Sequence, residues 1–179
     1  MKKFTVEEIS GIALITAGLV ALGFLLYLVA GIFPFPGSKI IIMAALLGFA
    51  YTLLLWRYPR PGSQLAASLV FGTLMALVSP IMTAAIWAAG LITEVFLRVL
   101  RGYNRQNKIP LYAAIFPLSC WFTFTGAFYL FVDINLIRMS GVPLMIMISF
   151  LIYLLGYLGG RLAAGVFPAA FVERSRKQN

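Results

Sequence analysis

Histidine is absent from this sequence, cysteine occurs once, and acidic side chains number only five. Each shortage removes a class of function. Without imidazole there is no histidine-based acid–base chemistry or metal site, and Cys120 alone can form neither a disulfide framework nor a thiolate cluster. Glu7, Glu8, Glu94, Asp133 and Glu173 offer no pair of carboxylates at a useful catalytic spacing. No glycine-rich loop with a lysine is present to cradle phosphate. The expectation is a protein that is not an enzyme and carries no cofactor or metal; a primary pump built on it would have to borrow its ATPase from another chain.

What remains is apolar. Charged residues make up 11% of the 179, against about 25% in an ordinary soluble domain. Hydrophobic residues reach 62% and mean hydropathy is +0.98. So few charges cannot coat a soluble core of this size, so lipid must be the solvent for most of the surface. No separate soluble domain can be marked off, and residues 1–179 read as a single transmembrane domain.

Apolar stretches able to cross about 30 Å of hydrocarbon divide the chain into six: 9–33, 39–56, 64–79, 80–97, 110–132 and 142–171. The fold class expected is an all-α integral membrane protein of six transmembrane helices. The third is short and runs into the fourth at Ser79 and Pro80, where a tight turn or a re-entrant element competes with a full crossing. Proline, glycine and polar residues punctuate the other breaks, as in "FPFPGSK", "RYPRPGS" and "RGYNRQNKIP".

The basic residues alternate with these breaks. Lys2, Lys3, Arg57, Arg60, Arg98, Arg101, Arg105, Lys108, Arg174, Arg176 and Lys177 fall on the side of the N-terminus, eleven against Lys39 and Arg138 on the other. By the positive-inside rule both termini are expected in the cytoplasm. The net charge of +9 then reads as a topology signal and as contact with lipid headgroups, with no nucleic-acid partner. A secretory signal is the rival for the N-terminus, but the apolar run is too long and no A-x-A site closes it.

Ala13, Ala17 and Ala21 recur every fourth residue in the first span, with Gly11 and Gly18 alongside. Such a smooth stripe lets a second helix approach closely, either one of this chain's own or a partner's. Polar and aromatic residues form rows on three later spans: Thr83, Trp87, Gly90 and Glu94; Trp121, Thr125 and Tyr129; Ser149, Tyr153, Tyr157 and Arg161. Their coincidence outlines a ligand site, although each row alone also fits interfacial belts or threonine bonded to its own helix. Glu94 and Arg161 are intramembrane charges that could pair between spans four and six, while Glu94 and Arg98, at i and i+4, could pair within one helix.

Six helices, the alanine stripe, and the stretches "FTVEEI", "RPGSQLAASL" and "GLITEVFL" resemble the substrate-binding S components of energy-coupling factor vitamin transporters. The likeness covers most of the chain and is strongest to the branch associated with thiamine and its hydroxymethylpyrimidine precursor. It implies a protein of a bacterial or archaeal cytoplasmic membrane that captures a small planar vitamin from outside. Its partners would be a transmembrane coupling protein and two cytoplasmic ATPase subunits, with Ala13, Ala17 and Ala21 meeting the coupling protein. By position, the resemblance puts the substrate among Phe35, Ser38, Lys39, Thr83, Trp87, Trp121, Thr125, Tyr129, Asn135 and Tyr153. A self-sufficient small secondary transporter or channel, and a structural or assembly membrane protein, are the alternative readings; the three-span halves show no convincing inverted repeat.

Overall fold

The computed structural model describes residues 5–30, 32, 38–104, 108–132 and 141–167, and among these every regular element is helical. The long helices are α1 (Val6–Ala30), α2 (Ser38–Arg57), α4 (Pro80–Val99), α6 (Ile115–Val132) and α7 (Val142–Val166). Between them lie the shorter α3 (Ser63–Met75) and α5 (Ile109–Ala113). Five segments are long and apolar enough to cross a membrane, with Ile109–Phe131 counted as one rod. That rod is interrupted at Ala114 because Pro117 has no N–H to donate and its ring crowds the carbonyl four residues back. The architecture is that expected of a multi-pass membrane protein.

Four of the helix starts have a local cause. In α1, the Thr5 hydroxyl accepts from Glu8 N–H at 3.3 Å and the Glu8 carboxylate accepts from Thr5 N–H at 2.9 Å, a reciprocal capping box. Pro80 and Pro143 occupy first-turn positions of α4 and α7, where no amide donor is required. Gly62 precedes α3 at φ 98°, a left-handed conformation that glycine adopts without strain.

Helices α2 and α7 meet backbone to backbone. A Cβ built on Gly48 would overlap the Gly156 carbonyl, lying 2.6 Å from its carbon, and one on Gly159 would overlap the Ala45 carbonyl. The seam is written in small residues at four-residue spacing, Ala44, Gly48 and Thr52 on α2 and Gly156 and Gly160 on α7. A second seam joins α3 to α4, where Gly90 faces Ser68 and Gly72 faces the Trp87 ring. Beyond these, α1 packs on α2 and α3, α4 on α6, and α6 on α2. Five helices thus close a ring, α1–α2–α6–α4–α3, and α7 lies outside it against α2, α5 and α6.

Glu94 holds one end of this ring. Its carboxylate, 3% exposed as a residue, accepts from Gly62 N–H at 2.7 Å, from Arg98 Nε at 2.8 Å and from the Tyr103 hydroxyl at 2.6 Å. A buried helix N-terminus leaves donors without partners and a partial positive charge, and Glu94 answers both for α3. Burial, and then the carboxylate it donates to, push the Tyr103 phenol well above its ordinary value, so it stays a neutral donor. Of the two pairings open from the sequence, the observed one is Glu94 with Arg98; Arg161 is exposed on α7 and makes no ion pair among the described residues. The same end carries a second clamp, Arg60 to Glu8 at 2.7 Å, which ties the α2–α3 loop to the start of α1.

Two outcomes check this account. Gly48→Ala should destabilise the purified protein by about 3 kcal/mol or more, since carbonyl backbone cannot yield as a side chain can, whereas Gly18→Ala, with open space at its Cβ, should leave the melting temperature unchanged or raise it. Glu94→Ala should cost about 2–4 kcal/mol by orphaning the buried Tyr103 hydroxyl and the Gly62 amide, and Arg98→Ala, at the half-exposed partner, about 1 kcal/mol or less. Thermal unfolding in detergent measures both pairs.

Candidate functional site

The ring encloses an apolar recess at the end opposite Glu94. From α1 it receives Val20, Gly23 and Phe24, and from the first half of α2 Ile40, Met43 and Leu47. The end of α3 and the turn after it add Phe71, Met75 and Val78. The far wall is Met82 and Ile86 of α4 with Cys120 and Phe124 of α6. Every described residue lining it is apolar. Leu47, Phe71 and Ile86, each 4% exposed, close its floor. Below the floor the interior turns polar: the Tyr51 hydroxyl lies 3.3 Å from Ser68 Oγ, linking α2 to α3, and the Tyr51 ring packs on Phe116 with centroids 4.0 Å apart. Gln64 on α3 and Thr52, which faces Gly160 across the α2–α7 seam, are fully buried with side-chain polar atoms that have no hydrogen-bond partner among the described residues.

The volume of the recess is about 90 Å3. Drug-sized pockets run to roughly 300–1,000 Å3, and a dry cavity of about 150 Å3 takes one benzene ring. An aromatic ligand therefore requires the wall to part. The wall least tied down is α1, which packs mainly on α2 and α3 and touches the recess through Gly23 against the flexible end of Met43. Met43, Met75 and Met82 give the recess an adaptable lining, because thioether chains refill irregular space at low cost.

The residues expected from the sequence to form the site are not brought together around this recess. Trp87 lies against Gly72, donates to the Leu69 carbonyl at 3.2 Å and is 39% exposed. Trp121 is buried between α2, α6 and α7 with Ala44, Ile148 and Ile152, its indole N–H without a partner among the described residues. Thr83 and Thr125 donate to the carbonyls of Ser79 and Trp121 on their own helices. Tyr129 is exposed, and Tyr153 on α7 reaches the Leu111 carbonyl of α5 at 3.4 Å. Ser38 is buried at the start of α2 and Lys39 beside it is exposed; Phe35 and Asn135 fall outside the described residues. The stripes that do face the recess, Met82–Ile86 and Cys120–Phe124, stand one position before Thr83–Trp87 and Trp121–Thr125, a rotation of about 100° around each helix. Their signal in the sequence was apolar i, i+4 spacing next to small residues.

On α1 the buried face is Ile12, Thr16 and Leu19. Ala17, Gly18 and Ala21 are exposed and Ala13 is half-buried, so most of the alanine stripe turns away from this chain's other helices. No group of three or more acidic, histidine or cysteine side chains able to hold a metal occurs among the described residues.

Comparison with known proteins adds no relative: no protein-family model, no curated protein and no solved structure matches the chain.

Proposed function

We propose that this protein is the substrate-binding S component of an energy-coupling factor importer, with six transmembrane crossings and both termini in the cytoplasm. The observation that carries the reading is the separation of two features on one small bundle. A recess sits at the end away from the basic loops, and α1 presents a smooth, unpacked face of Ala17, Gly18 and Ala21 beside it. In lipid, a stripe of small residues gains association energy only when another helix lies on it, which suits a transmembrane coupling protein. Two cytoplasmic ATPases would then supply the energy that this chain has no residues to harvest.

The recess favours a flat, largely uncharged ligand. Phe24, Phe71 and Phe124 offer ring faces and edges, and the described wall holds no charged group to pair with one on the ligand. Its size favours a single heterocycle, such as the hydroxymethylpyrimidine precursor, over the two-ring vitamin thiamine. The third crossing is made by α3 together with the turn after it. At 13 residues α3 is about 20 Å long, and it starts below the membrane surface because Glu94 caps it there.

Thermal stabilisation of the purified chain across a panel of vitamins and precursors, with co-purification of ATPase subunits, tests this reading. Met82→Trp should fill the recess and weaken binding of any stabilising ligand at least tenfold, while Arg101→Ala at the other end should leave it unchanged. Ala17→Leu should abolish uptake in cells and spare ligand binding to the isolated protein, because added bulk there enters no cavity. Loss of both activities in Ala17→Leu, or a chain that binds no panel member and retains no ATPase, would count against the proposal and in favour of a structural role.

A further inference from the structure

A second, larger hollow lies at the basic end, on the outside of the bundle. It is a groove of about 630 Å3 between the first turns of α1, the last turns of α2 and the end of α7. Its chemistry changes along its length. Leu14, Ile15 and Leu53 form an apolar stretch, and one to two helical turns away stand Arg57 and Glu7, with Trp56 and Tyr58 between. Leu53 precedes Arg57 by one turn and Glu7 precedes Leu14 by nearly two, so the apolar floor is displaced from the charges by roughly 6–10 Å along the helix axes. Phe167 closes the far side from α7.

The wall is built for this shape. A Cβ on Gly11 would overlap the Tyr58 hydroxyl, so glycine is what allows the phenol to lie against α1. Arg57 is the last residue of α2, where the helix dipole favours a cation. Leu14 is 75% exposed, a large apolar side chain facing the groove and not the core.

We propose that this groove binds an anionic phospholipid, with an acyl chain along Leu14, Ile15 and Leu53 and the headgroup phosphate at Arg57. A lipid has the same gradient: hydrocarbon, then an interfacial zone that suits tryptophan and tyrosine, then charge. The sign follows from charge complementarity at this end of the molecule. Among the described residues this end carries Arg57, Arg60, Arg98, Arg101 and Lys108 against Glu7, Glu8 and Glu94. Glu7 lines the groove and opposes an anion locally, but the excess of basic over acidic residues among the described ones at this end favours an anionic headgroup over a zwitterionic one. This inference does not depend on what the recess at the opposite end binds.

The test uses the full-length protein in detergent with added dioleoylphosphatidylglycerol, dioleoylphosphatidylcholine or glycerol 3-phosphate, read by native mass spectrometry and melting temperature. Phosphatidylglycerol should be retained at least fivefold more than phosphatidylcholine and should raise the melting temperature, while glycerol 3-phosphate should do neither. Arg57→Gln should lose that preference, Arg57→Lys should keep most of it, and Arg101→Gln should keep all of it. Equal retention of the two lipids by the unmodified protein overturns the proposal, and so does an equal loss of preference in Arg57→Gln and Arg101→Gln. Stabilisation by glycerol 3-phosphate as large as that by the lipid would identify a soluble-anion site in its place. Should Arg57→Gln fail to fold, the comparison of lipids on the unmodified chain still decides.

Discussion

Everything in this bundle rests on helices that touch through their backbones. In lipid there is no hydrophobic gain from joining two apolar helices, so association depends on close van der Waals approach and on the few polar contacts that cross. Gly48 against Gly156 and Gly159 against Ala45 bring α2 and α7 to that distance, and Gly90 against Ser68 does so for α3 and α4. These contacts set backbone against backbone or against a short side chain, so they tolerate no added methyl. Helix α1 is attached differently. Two of its glycines meet side-chain ends, Gly11 the Tyr58 hydroxyl and Gly23 the Met43 methyl, and Gly18 meets open space. Side-chain ends can swing where carbonyls cannot, and α1 is accordingly the most readily displaced wall of the ring.

The short α3 creates a problem that Glu94 resolves. At 13 residues α3 is about 20 Å long, and its start is buried inside the protein at Ser63 and Gln64. A buried helix start presents amide donors inside the protein, where an unpaired donor is costly. The carboxylate of Glu94 accepts from that end, and Arg98 and Tyr103 satisfy its remaining lone pairs. A glutamate inside an apolar run is therefore what seats the buried start of the third helix. The clamp between Arg60 and Glu8 extends the same polar layer to α1, so four helix ends are joined on one side of the bundle.

The fold class was legible because apolar runs and their breaks are long-range features of composition. Expected spans 39–56 and 80–97 correspond to Ser38–Arg57 and Pro80–Val99. The expected span 142–171 contains Val142–Val166, and its last residues, 168–171, lie outside the described ones. Helix faces were much less legible. Rows of threonine and aromatic residues suggested an inward polar surface, yet Thr83 and Thr125 satisfy themselves on their own helices, and Trp87 and Trp121 pack on different neighbours. A hydroxyl bonded to its own backbone carries no information about which way a helix faces. The small residues carried more. Gly156 and Gly160 at i and i+4 mark the tightest seam, a pattern as plain in the sequence as the alanine stripe on α1. Spacing alone could not separate the two, one buried in this chain and the other exposed, because that depends on how many helices are available to cover each stripe.

If the protein acts as the importer component proposed above, the division of its interior into an apolar end and a polar end constrains the route its cargo takes. Leu47, Phe71 and Ile86 seal the recess from the layer below, and beneath them Tyr51, Ser68 and Phe116 fill the space between helices. Tyr51, Ser68, Thr93 and Glu94 are all nearly inaccessible, so among the described residues no continuous passage leads from the recess to the basic end. Opening one would require separating α2 from α3 and breaking the Tyr51–Ser68 contact, with Glu94 still fastening the α3–α4 pair below. Moving the whole bundle leaves those contacts intact and asks only that the exposed face of α1 slide on a surface outside this chain. For the importer proposed above, a sealed floor with one smooth outer face would suit carrying the ligand as a body beside a coupling protein and not conducting it through the middle.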